Sequence, residues 1–203
     1  MFTESEIETL SELEEIKTAS FELKKDFIKT EAPYLEISDA DFFSLVLLAP
    51  TVGVAMADDS LSFWEEMALN KKARKLSKGG FFLKKDPIVF ALKYLIDKYD
   101  IWEEKFLAVI RIAMETSFDI KSLEENFDVN ATVTQDEYKI EVLKCPYILI
   151  RFISAFFMDK DESIFGEREL SAVDHQRMVD IGEKLELHKI PVFNHFCKTF
   201  TIT

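Results

Sequence analysis

Apolar residues recur along most of this chain at every third or fourth position, the spacing of one buried helix face. Ile7, Leu10, Leu13, Ile16, Leu23 and Phe27 predict a helix over 4–30. Thr3 and Glu6 form a T-x-x-E capping box at its start, and Pro33 ends it. A second helix is predicted from Ser38 or Asp39 through the uncharged run 42–57, with Pro50 expected to kink or divide it. Ser62 and Glu65 cap a helix that ends near Leu76, where Gly79 and Gly80 suit its stop. Asp86-Pro87 opens the next one, as N-cap and first helical residue. Helices near 101–116 and 120–127, a loop over 128–134, and a long helix opened by Thr134 and Glu137 and broken or bent at Pro146 follow. An acidic loop over 159–169, a helix near 171–186 and a terminal helix starting at Pro191 complete the pattern. Gly53 and Gly182 fall inside predicted helices, where glycine is costly, so close helix–helix contact is expected at both. Phe42, Phe43, Phe152, Phe156 and Phe157 are expected in the core, and Phe81-Phe82 in a packed loop.

Composition supports that pattern. Only 5 Gly and 5 Pro occur in 203 residues, well below the roughly 12% of an average chain, which disfavours turn-rich sandwiches and barrels. The expected fold is all-α: a single helical domain of about 8–9 helices over 1–203. It divides into an extra N-terminal helix (1–35), a first unit (38–99), connecting helices (100–133) and a second unit (134–203). The net charge of −13 disfavours nucleic acid and permits cations and basic partners. Two cysteines, Cys145 and Cys197, form no framework, consistent with a reducing, cytoplasmic setting. The run 42–57 is sixteen residues long, short of the ~20 needed to span a bilayer. No transmembrane segment or secretory signal is read, and peripheral membrane association stays open.

The two units share an order of events. An apolar helix runs into an acidic loop, then a serine-capped helix, then a proline-started helix. Asp58 matches Asp159 at an offset of 101, and Ser62 matches Ser171 at an offset of 109. Beyond the serines, Leu61 pairs with Leu170, Glu65 with Asp174, Leu69 with Met178 and Leu76 with Leu185 without gaps. Two pseudo-repeats that pack their apolar helices together are therefore expected.

The segment Ala57-Asp58-Asp59-Ser60-Leu61-Ser62, followed by Glu65, resembles the A-D-G-x-hydrophobic-S-x-x-E signature of the TerB-like family, named for tellurite resistance. The stretch Asp159 to Asp174 resembles that family's second signature with an insertion, and Asp59 stands where the family has glycine. The resemblance implies an all-helical bundle, divalent-metal binding at the acidic residues, a stress-response role and association with membrane-linked complexes.

Asp58, Asp59 and Glu66, with Asp159, Asp161 and Glu162, are the candidate metal ligands. Carboxylates of this kind suit Ca²⁺ or Mg²⁺ better than Zn²⁺. The same residues also suit plain capping and solvated acidic loops. An EF-hand is excluded, because Ile164 and Leu170 occupy its glycine and glutamate positions. His175, His188 and His195 make no metal motif and are assigned surface or capping roles. No nucleophile elbow, P-loop or dinucleotide fingerprint is present, and no enzyme is expected. Segment 71–85 holds seven bases and no acid. Lys71, Lys72, Arg74 and Lys75 are its candidate partner-binding residues, toward an acidic protein or an anionic lipid surface. The alternative for those bases is a solvated helix end. The expected function is non-enzymatic binding of a divalent cation, a protein partner or both; the alternative is a metal-free interaction module.

Overall fold

In the computed structural model the described residues are 2–58, 60–77, 86–125, 127, 128, 132–158 and 162–203. The uncharged run lies at the centre. It forms α3 (Asp39–Ala55), capped by Ser38, whose side chain accepts from the Asp41 amide at 3.0 Å. Every residue from Asp41 to Pro50 is buried. A helix that is apolar on all sides needs neighbours on all sides. They are α1 (Glu4–Ser11), α2 (Glu14–Glu31), α4 (Phe63–Leu76), α5 (Pro87–Asp97), α6 (Tyr99–Ser117), α8 (Tyr147–Phe157) and α9 (Ala172–Lys184). The shorter α7 (Gln135–Lys144) and α10 (Pro191–Lys198) pack on each other beyond this ring. The all-α class holds, with ten α-helices among the described residues.

Three expectations change, and a fourth is narrowed at Pro50. The helix expected over 4–30 is two helices, because Leu13 is extended (φ −64°, ψ 130°) and starts α2 without a side-chain cap. Pro50 does not divide α3. Around it, the Tyr99 hydroxyl donates to the Ala49 carbonyl at 2.8 Å and Arg177 Nε to the Gly53 carbonyl at 3.2 Å, which ties this stretch of α3 to α6 and α9. The α-helix near 120–127 is only a 3₁₀ turn, Ile120–Leu123. Two three-residue strands, β1 (Arg168–Leu170) and β2 (Phe200–Ile202), pair in parallel with Arg168 opposite Phe200. Pro146 separates α7 from α8 as expected. Gly79, Gly80, Phe81 and Phe82 lie outside the described residues.

Aromatic rings fill the space between α2, α3 and α6. Phe27 meets Trp102 at 5.0 Å and Phe106 at 5.4 Å, edge to face. Such pairs add about 0.5–1.5 kcal/mol beyond area burial. Phe42, Phe43, Phe152 and Phe156 are fully buried and Phe157 half-buried. Both helical glycines mark close approaches. A Cβ on Gly53 would sit 2.3 Å from the Tyr99 hydroxyl, and one on Gly182 would sit 2.2 Å from Phe193 Cζ.

One buried ion cluster ties α6 to α9. The Glu103 carboxylate accepts from Arg177 at 2.9 Å and from Lys184 at 2.7 Å. Burial lowers the pKa of the Lys184 ammonium, but Glu103 and Glu104 more than reverse this and hold it above the usual lysine value.

Candidate interaction surface

Helix α4 is built by its cap. Ser62 accepts from the Glu65 amide at 3.3 Å, and Glu65 accepts from the Ser62 amide at 2.8 Å, so two of the backbone donors at the helix start are satisfied. Leu69, Lys72, Ala73 and Leu76 then recur at helical spacing and face the core. The opposite face carries Phe63, Trp64, Met67, Ala68, Lys71, Arg74 and Lys75, all exposed.

The apolar end of that face is unusual. Phe63 is 68% exposed and Trp64 75%, and their rings meet edge to face at 5.6 Å. Met67, one turn on, is 49% exposed. Capping accounts for Ser62 and Glu65, and core packing for Leu69 and Leu76. Neither accounts for two large rings in water. Tryptophan, phenylalanine, methionine and arginine are the residue types enriched where proteins dock.

The basic end retains three of its four candidates. Lys71, Arg74 and Lys75 lie on the outer face. Lys72 does not, since it is only 6% exposed. Its ammonium donates to Thr51 Oγ1 at 2.9 Å and to the Met158 carbonyl at 3.3 Å. Thr51 in turn donates to the Phe156 carbonyl at 2.9 Å. The C-terminal carbonyls of α8 need donors and favour a cation, so Lys72 belongs to that helix end rather than to a partner.

Of the acidic candidates, the described ones, Asp58, Glu66 and Glu162, form no shared metal site. Asp58 is exposed and accepts from the Ser60 amide at 3.2 Å and hydroxyl at 3.1 Å, a local turn. Glu66 is exposed on the first turn of α4. Glu162 lies 3.6 Å from Arg168 Nε. Asp59, Asp159 and Asp161 lie outside the described residues. Among the described residues, no group of three or more His, Cys, Asp or Glu side chains is placed to hold a metal ion.

Sequence reasoning missed one constellation. His195, assigned a surface or capping role, is 7% exposed, and its Nδ1 pairs with the Glu141 carboxylate. The pair joins α10 to α7. His195 also lines a cleft of about 320 Å³ with Tyr138, Phe165, Lys198, Thr199 and Phe200. Glu141 and His195 stand 54 residues apart, so no local motif announces them. Neither cysteine is poised as a nucleophile: burial pushes the Cys145 thiol up to about 11 and the Cys197 thiol up to about 12.

Comparison with known proteins returns no match: no family model, no curated protein and no solved structure is significantly similar to this chain. Among the described residues, no helix is long and apolar enough to cross a membrane.

Proposed function

We propose that this protein is a metal-free, non-enzymatic interaction module that docks an acidic protein partner on the outer face of α4. The observation that carries this is the exposed Phe63–Trp64 pair, continuous along one helix with Met67 and then with Lys71, Arg74 and Lys75. The aromatic pair and Met67 supply apolar anchors whose burial drives association. The three cations supply steering and a preference for acidic partners, on a chain whose net charge of −13 repels them elsewhere. The acidic loops are given structural duties: Asp58 closes a turn, Glu65 caps α4 and Glu162 lies beside Arg168.

The test is site-specific photo-crosslinking in the source cells. A benzophenone side chain replaces Trp64 in one variant and Ile101, 65% exposed on α6, in another. A discrete protein adduct is expected from position 64 only. It should disappear when Lys71→Glu and Arg74→Glu are combined, and it should survive EDTA. The same adducts from both positions, or none from 64, would overturn the reading. An adduct that EDTA abolishes would overturn its metal-free part.

A further inference from the structure

Resting on that reading of α4, we infer the shape and polarity of its partner: an amphipathic helix running antiparallel to α4, acidic over its first turns and apolar over its last. Trp64, Ala68, Lys71 and Lys75 stand at i, i+4, i+7 and i+11, and Phe63, Met67 and Arg74 flank them. Ridges of this spacing mesh with those of another helix. Ala68, at the middle, has no side chain beyond Cβ and lets a partner backbone approach. From residue 63 to residue 75 the axis advances about 18 Å, the length of a helix of roughly 12 residues.

Polarity follows from charge. The face is segregated along its axis, with the apolar anchors at the N-terminal end and the cations at the C-terminal end. A partner must therefore place its acids over Lys71, Arg74 and Lys75, and its apolar residues over Phe63, Trp64 and Met67. Acids in the first turn of a helix agree with its own dipole, whereas acids in the last turn oppose it. Only the antiparallel arrangement satisfies the partner's dipole and α4's cations together. Glu66, exposed beside the aromatic pair, repels an acidic segment from that end.

The full chain reports on its own occupant. It has two tryptophans. Trp102 is 2% exposed and donates its indole N–H to Glu31 at 2.8 Å, which leaves Trp64 as the solvent-facing emitter. The probe is an alanine-based peptide of about 18 residues, long enough to populate helix in isolation, with glutamates in its first two turns and leucines in its last two. Binding is expected to shift Trp64 emission to the blue and to weaken about tenfold or more when Lys71→Glu and Arg74→Glu are combined. A dansyl group on the peptide's C-terminus should take more energy from Trp64 than one on its N-terminus, with the Trp64→Phe variant as the blank. Equal transfer, or more to the N-terminal label, overturns the antiparallel polarity and leaves the docking reading standing. No binding at millimolar peptide overturns the acidic-helix class, while a position-64 adduct in cells would still support docking. Trp64 blue-shifted by phosphatidylserine vesicles, with no response to the peptide, would assign the face to a membrane and overturn both.

Discussion

Helices α4 and α9 start alike and end differently. Ser62 and Ser171 each accept the amide three residues on, from Glu65 at 3.3 Å and from Asp174 at 3.1 Å. Their buried registers coincide: Leu69, Lys72, Ala73 and Leu76 in one, and Met178, Ile181, Gly182 and Leu185 in the other. Yet α9 is covered on more than one side. Arg177 and Lys184 reach the buried Glu103, and Phe193 of α10 lies against Gly182. The outer face of α4 holds Trp64 and Phe63 where α9 has Val173 and Ala172, and it meets water. The same local rules thus make one helix a structural strut and the other a presented surface. The difference lies in what other elements bring to the outer face.

The contrast can be broken at several points. Glu103→Ala takes the buried carboxylate from Arg177 and leaves Lys184 with Glu104 alone, so it is expected to cost about 1.5–3 kcal/mol in urea unfolding. Glu66→Ala on α4 should stay within about 0.5 kcal/mol. Gly182→Ala forces a methyl into the Phe193 ring and should cost about 1–3 kcal/mol. The reverse exchange at the matching position, Ala73→Gly, should cost about 2 kcal/mol, through helix propensity plus the loss of a buried methyl. A Gly182→Ala chain as stable as the parent would mean that Phe193 does not hold α9 tightly there. Ser62→Ala and Ser171→Ala should each cost about 1 kcal/mol, as equivalent caps do. Trp64→Ala should move stability by less than about 0.5 kcal/mol and still abolish docking.

A smaller effect concerns pH. Lys184 has its pKa raised in the folded state. Its stabilisation is therefore complete below the unfolded lysine value and fades only as pH rises through the higher folded one. The difference in urea midpoint between the parent chain and Lys184→Met should thus be flat from about pH 6 to pH 9. A steep fall across that range would remove Lys184 from the cluster.

What the sequence discloses is local chemistry. The caps at Thr3, Ser38, Ser62, Asp86, Thr134 and Ser171 all form, because each needs only a side chain and an amide two or three residues away. The prolines at 87 and 191 begin helices for the same reason. What stayed hidden depends on distant partners. Lys72 reads as one more surface base until the carbonyl of Met158, 86 residues on, draws it inward. His195 reads as a surface or capping residue until Glu141 arrives from another helix. The strands β1 and β2 are too short to show alternation, and their pairing joins residues about thirty positions apart. The basic half of the α4 face was visible as a run of lysines and arginine. The aromatic half was not, because the sequence around a capping box does not distinguish a ring that packs inward from one left in water.

The central position of α3 also sets a schedule for biosynthesis. Thr51 on that helix bonds to a carbonyl 105 residues later in the chain. At ~5–20 residues per second of translation, α3 waits about 5–20 s before α8 emerges to cover it. During that interval the side of α3 that α8 and α9 later cover is exposed to the crowded surroundings of the ribosome exit. The chain is therefore expected to engage holding chaperones as a nascent polypeptide, and variants that weaken α8 should fail first in yield and only later in equilibrium stability.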